Sequence, residues 1–121
     1  MAMAKILKMP ARGDRAFAEV ETDADGNLVL EAMQGMVGGY LERVCLSGDG
    51  LGGLDLFFDE EGKLKGLPCN PAATLLSGIA LRNDIIVGDA FVCARDGHGN
   101  SVGLSDAQER ALRRRLGDLG V

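Results

Sequence analysis

The sequence predicts an α+β fold, a small and mostly antiparallel sheet with about three helices in the order β-β-α-β-β-β-α-β-α. Three observations lead there. Short apolar runs bounded by Gly, Pro, Asp and Asn recur along the chain, with the length and punctuation of strands. Val29, Met33, Met36 and Val37 recur at helical spacing and run into Gly38 and Gly39, where a left-handed helix cap is wanted. Ser105, followed three residues later by Gln108, forms a capping box ahead of Leu112, Leu116 and Leu119.

In chain order, residues 4–9 (AKILKM) read as an opening strand that stops at Pro10, and residues 16–22 (AFAEVET) as a second. Asp23, Asp25, Gly26 and Asn27 form an acidic turn whose side chains are expected to cap a helix over residues 28–37. YLERVCL at 40–46 and LDLFF at 54–58 read as strands joined through the glycine-rich SGDGLGG stretch. Asp59 to Gly62 look like an exposed hairpin turn, with Lys63 to Leu67 returning antiparallel until Pro68 stops it. Pro71 suits the first turn of a short helix that runs on through ATLLSGIA. Ile85 to Val87 and Ala90 to Ala94 make the last apolar strand, with Gly88 marking a bulge, and residues 105–117 form the closing amphipathic helix.

The 121 residues, 46% hydrophobic and 26% charged, suffice for one core and are too few for two ordinary domains, so residues 1–121 are read as a single domain. A net charge of −5 repels nucleic acid and anionic membrane, which sets direct contact with either aside. Aromatics at 4%, with no Trp, leave little for base stacking. Cys45, Cys69 and Cys93 are odd in number and include no C-x-x-C pair, which fits reduced thiols in a cytoplasm. No segment approaches the roughly 18 apolar residues of a membrane span.

Each motif that imitates a chemistry has a plainer account. Gly48-x-Gly50-x-x-Gly53 has dinucleotide spacing but leads into an apparent strand, where that chemistry needs a helix N-terminus, so a loop is the better reading. Glu21-x-Asp23-x-Asp25-Gly26 resembles half a calcium loop, yet its twelfth position is Ala32, which carries no carboxylate. His98, the only histidine, lies in a predicted hairpin turn and has no zinc spacing with the cysteines. Asp59, Glu60 and Glu61 read as solvated carboxylates and Arg113 to Arg115 as the wet face of the last helix. No cofactor and no metal is expected, and no catalytic residue is assigned.

Two segments, LEAMQGMVGGYLERVCL at 30–46 and DEEGKLKGLPCNPAA at 59–73, together resemble a phage and mobile-element family of undefined function, DUF3846. The later IIVGDAFVCARD and LSDAQ segments fit the same pattern. Cys69 stands where the family's GLPPN has its second proline, and residues 48–53 are richer in glycine than is usual. The resemblance implies a compact α+β domain carried by phages, prophages and conjugative elements, and it brings no established activity.

Physical reasoning adds a place to look. The VGGYLE corner and the GKLKGLP hairpin offer Gly38, Gly39, Tyr40, Glu42, Lys63, Lys65 and Asn70 as candidate ligand-binding residues. The plainer alternative is that Gly38, Gly39, Gly62 and Gly66 serve positive φ and that Tyr40 packs. The leading expectation is a small non-catalytic accessory protein, an anti-defence module that sequesters a nucleotide-like signal, with the lysines and glycine corner holding phosphates. The alternatives are an acidic module that binds or inhibits a host protein, including by nucleic-acid mimicry, and a small enzyme acting on a phage metabolite. A homodimer is expected on the ground that three short helices cannot cover both the 54–58 strand and the 85–94 strand.

Overall fold

The structure, a computed structural model, describes residues 2–121. Its elements are β1 (Met3–Met9), β2 (Ala16–Glu21), α1 (Leu30–Val37), β3 (Leu41–Cys45), β4 (Leu54–Asp59), α2 (Pro71–Ser77), a short 3-10 turn (Ile79–Arg82), β5 (Ala90–Arg95), β6 (Ser101–Val102) and α3 (Asp106–Leu119). The six strands form one sheet, ordered β2-β1-β5-β4-β3 with β6 added to β5, and every pairing is antiparallel. The predicted α+β class, with a mostly antiparallel sheet and three helices, is what is observed.

Several local expectations change. Lys63 to Leu67 is coiled into turns, with Lys65 N–H donating to Glu61 O, Gly66 N–H to Lys63 O and Leu67 N–H to Gly62 O. It has no ladder to join, because β4 is already flanked by β3 and β5. The sixth strand is β6, reached through the Asp96–Asn100 turn that holds His98, where Asp96 Oδ1 accepts from the His98 and Asn100 amides. Ile86 and Val87 pair with Asn70 and Cys69 and stay outside β5, and Gly88 (φ 80°) turns the chain between the two pairings. The acidic turn does not cap α1. Asp23 Oδ1 closes its own loop by accepting from the Asp25 and Asn27 amides, each at 2.9 Å, and the N-cap position is Val29, without a side-chain bond.

The sheet carries a layer on each face. Leu7, Met9, Leu56, Phe58 and Val92 face α2 and α3, where they meet Leu76, Leu112 and Leu116. Ile6, Phe57, Phe91 and Cys93 face α1, where Met33 and Val37 cover them. Phe57 and Phe91 stack at 5.4 Å between ring centroids, an arrangement that adds about 1 kcal/mol beyond area burial. Residues of β4 and β5 are therefore buried on both faces, and the premise that two uncovered strands require a second copy does not hold. The capping box of α3 forms as predicted, with Ser105 Oγ accepting from the Gln108 amide at 3.1 Å and Gln108 Oε1 from the Ser105 amide at 2.8 Å.

Asn70 joins the layers. It is 1% exposed, and its Oδ1 accepts from the Ala73 amide at the start of α2. Its Nδ2 donates to Met9 O at 2.8 Å and to Gly88 O at 2.9 Å, so one side chain ties β1, the β5 approach and α2 together. Replacing Asn70 with Ala removes the cap and leaves two buried carbonyls without donors, so urea denaturation should show a loss of about 3 kcal/mol or more. A loss under about 1 kcal/mol would mean that water or backbone shifts replace these bonds.

Candidate functional site

On the α1 face, β4 presents Asp55, Phe57 and Asp59 in alternation, with the phenyl ring under the helix and a carboxylate beyond each side of it. Both acids are buried, and each is met by a cation from the rim. Arg95 Nη1 donates to Asp55 Oδ1 at 2.6 Å, and Lys65 Nζ donates to Asp59 Oδ2 at 2.6 Å. Asp59 Oδ1 also accepts from the Glu61 amide at 2.9 Å. The Lys65 ammonium beside it holds the Asp59 carboxyl below the usual carboxylate range, with burial opposing. The expected exposed triplet of carboxylates is thus corrected: Glu60 and Glu61 are exposed, but Asp59 is 2% exposed.

The VGGYLE corner is built around this ion pair. Gly38 ends α1 at φ 84° and donates to Gln34 O, and Lys65 Nζ reaches the free carbonyl of Gly38 at 3.2 Å, placing a cation at the negative end of the helix. A Cβ at Gly39 would lie 2.7 Å from Lys65 Nζ and 2.8 Å from Asp59 Oδ1, so only glycine lets the chain pass the pair. Of the four glycines expected to serve positive φ, Gly38 and Gly66 do; Gly39 and Gly62 instead permit close packing. Tyr40 does not pack: it is 65% exposed at the start of β3.

Of the other predicted site residues, Glu42 and Lys63 meet at a cavity of about 210 Å³ on the α2 side of the same corner, which Phe58, Ile79, Ile85 and Val87 line with apolar surface. Lys63 is paired with Asp84 there. Asn70 is elsewhere, sealed in the core with its hydrogen-bonding atoms engaged. The structure therefore brings together Gly38, Gly39, Tyr40 and Lys65, places Glu42 and Lys63 beside them on the opposite face, and separates Asn70. The partner that the sequence reading missed is Asp59. Its signal was the alternation within LDLFFD, which puts Asp59 in phase with buried Phe57.

The motif segments are used structurally. Gly48 to Gly53 loops directly into β4, and Leu51 from that loop is fully buried against α3-side residues. Cys93 lies in the core, where burial pushes its thiol up to about 12, while Cys45 and Cys69 are exposed and free. Among the described residues no three His, Cys, Asp or Glu side chains converge as metal ligands would, and no helix is long and apolar enough to cross a membrane.

β3 is an edge strand. Its ladder to β4 is bonded at Tyr40–Glu60 and Leu46–Leu54, so by antiparallel alternation the N–H and C=O groups of Leu41, Arg43 and Cys45 point away from the sheet. The corner is thus an internally neutralised pair beside an open backbone edge, and it is suited to binding by hydrogen bonds and apolar contact more than by free charge.

Replacing Lys65 with Met leaves Asp59 buried without its cation. We expect a loss of about 2 kcal/mol at neutral pH, less than for a fully buried pair because the lysine end is partly solvated. Asp59 in the native pair stabilises fully above its ordinary pKa, and that stability is lost as pH falls through its depressed folded value. The gap between wild type and K65M should therefore narrow below about pH 4. A gap that stays constant down to pH 3, by thermal unfolding, would contradict the assignment.

A family model described as domain of unknown function, DUF3846, matches residues 5–117. No curated protein matches the chain, and no solved structure does. The family match spans the β3 corner, the Lys65 turn and the Asn70 cap alike, and on its extent the chain belongs to the DUF3846 family.

Proposed function

We propose that this chain is a non-catalytic binding module of phage or mobile-element origin, whose β3 edge accepts an extended, basic segment of a host protein as an added strand. The observation that carries this reading is the open edge itself. Leu41, Arg43 and Cys45 offer unpaired backbone donors and acceptors, the groups by which an extended peptide adds to a sheet. Side chains of an added strand would alternate between faces. On the α2 side they meet Glu42 and the cavity lined by Phe58, Ile79, Ile85 and Val87. Leu64 (87% exposed) and Leu81 (91% exposed) stand on the segments that carry this rim, and Glu60 and Glu61 supply negative charge.

Sequestration of a nucleotide-like signal at this corner fits less well. Lys65 and Lys63, expected to hold phosphates, are engaged by Asp59 and Asp84, and a phosphate would have to displace a carboxylate from each. A protein segment needs neither displacement. Its basic side chains would be drawn to the net charge of −5, which makes the association sensitive to salt.

The test is titration with synthetic peptides of alternating basic and β-branched residues, followed by amide NMR. The Leu41, Arg43 and Cys45 amides should shift and gain exchange protection, and the effect should weaken at high salt. R43P removes one outward donor from an edge position and should abolish those shifts while changing thermal stability little. Shifts elsewhere, or a proline variant that binds like wild type, would remove the edge from consideration.

A further inference from the structure

β3 divides its side chains between the two faces of the sheet. Its register with β4 sets Leu41, Arg43 and Cys45 beside Asp59, Phe57 and Asp55 on the α1 side, and Glu42 and Val44 beside Phe58 and Leu56 on the α2 side. Glu42 and Arg43, neighbours of opposite charge, therefore point to opposite faces of an open edge. Both are exposed, and among the described residues neither belongs to an ion pair.

Each face has its own sign at this edge. Glu60 stands near Glu42 on the α2 side, because its amide donates to the Tyr40 carbonyl across the ladder, and it too has no cation among the described residues. The two carboxylates line the cavity of about 210 Å³ whose apolar wall is Phe58, Ile79, Ile85 and Val87. Lys63, the cation at that cavity, is held by Asp84. On the α1 side Arg43 is joined by Arg95, whose Nη1 pairs with Asp55 and also reaches the Cys45 sulfur, at 3.4 Å.

On the reading of β3 as a docking edge, on which this rests, we infer that Glu42 and Arg43 select the occupant by the phase of its charges. It carries a basic side chain on the α2 face and an acidic one on the α1 face. In an antiparallel added strand the residue hydrogen-bonded to Arg43 is acidic, the next one, opposite Glu42, is basic, and the preceding one, opposite Val44, is aliphatic. The pair at Glu42 is of the non-hydrogen-bonded kind, in which side chains approach more closely, and Glu60 gives the base a second acceptor. A slip of one residue carries the base to the face of Arg43, where like charge opposes it.

Neither edge of a second copy meets this pattern. Antiparallel pairing of two β3 strands joins odd-numbered residues, which sets Arg43 against Leu41, Arg43 or Cys45 of the other copy and gives Glu42 no base. The outward groups of β2 are also those of odd-numbered residues, so β2 would set only Ala16, Ala18 or Val20 against Glu42. The occupant is a segment of another protein in which acid and base are adjacent.

Peptides of about ten residues, sharing the frame Val-X-Lys-Val between threonines with X as Glu, Gln or Lys, test this by amide NMR titration of the full chain. All three should shift the Leu41, Arg43 and Cys45 amides. Wild type should bind them in the order Glu, Gln, Lys, each step being about twofold to fivefold, the range of one cross-strand charge pair. R43E, at an exposed position with no ion pair to lose, should reverse that order with an unchanged circular dichroism spectrum. E42Q should weaken all three by a similar factor without reordering them, because X faces Arg43. If the peptides shift these amides but rank alike on wild type and R43E, the docking edge stands and selection by charge phase is overturned. A reordering by E42Q would overturn the assignment of faces, and if no peptide shifts these amides at millimolar concentration, the selection falls together with the edge.

Discussion

α1 has eight residues and is about 12 Å long, while the sheet face beneath it offers three strands. It cannot cover that face from end to end. The residues of β4 on this side, Asp55, Phe57 and Asp59, span about 14 Å, and the helix shelters the phenyl ring between two carboxylates. A buried carboxylate without a partner is among the most destabilising groups a core can hold, so each end of β4 has to be supplied with a cation. Arg95 from β5 and Lys65 from the turn after β4 meet that demand. Much of the local architecture follows from it.

Lys65 must arrive from outside the sheet, and the turns of residues 60–66 carry it there, which a strand over the same residues would not do. Its position then dictates the corner opposite. The chain leaving α1 has to pass the ion pair at close range, which fixes Gly39, and the carbonyl of Gly38 becomes a second acceptor for the ammonium. Tyr40 is left pointing to solvent and β3 begins at once, as an edge. A structural requirement at one carboxylate thereby produces an exposed aromatic, an open backbone edge and an acidic rim side by side. That juxtaposition is the basis of the proposed docking role, and it comes from neutralising Asp59.

The opposite layer follows different rules. α3 is held by its own capping box and by Leu112 and Leu116, so its arginines are free of any role in the core. Arg113 is fixed over Phe17, and Arg15 is delivered by the β1–β2 turn. The charges here are matched at the surface: Arg113 meets Glu109, Lys5 bridges Glu109 and Asp106, and Arg15 reaches the Val121 oxygen. They answer to no buried group, in contrast to those of Lys65 and Arg95.

The sequence by itself determined what depends on neighbours along the chain. The Ser105–Gln108 box, the Gly38 cap and the His98 turn are local signals, written within a few residues, and each is found in the structure, as is the α+β class that such signals add up to. DUF3846 membership was legible in the same way, from contiguous motifs. What only the tertiary structure decided depends on distant partners. Asp59 read as a solvated turn residue because nothing local announces that Lys65 folds back over it, and Asn70 read as a site residue because its acceptors, Met9 and Gly88, are remote. Lys63 to Leu67 read as a strand because its composition allows one, and was excluded by β5 already occupying the flank of β4. Burial and pairing are set by what the whole chain brings together, and for charged side chains that decides whether a residue binds its own fold or remains free for a ligand.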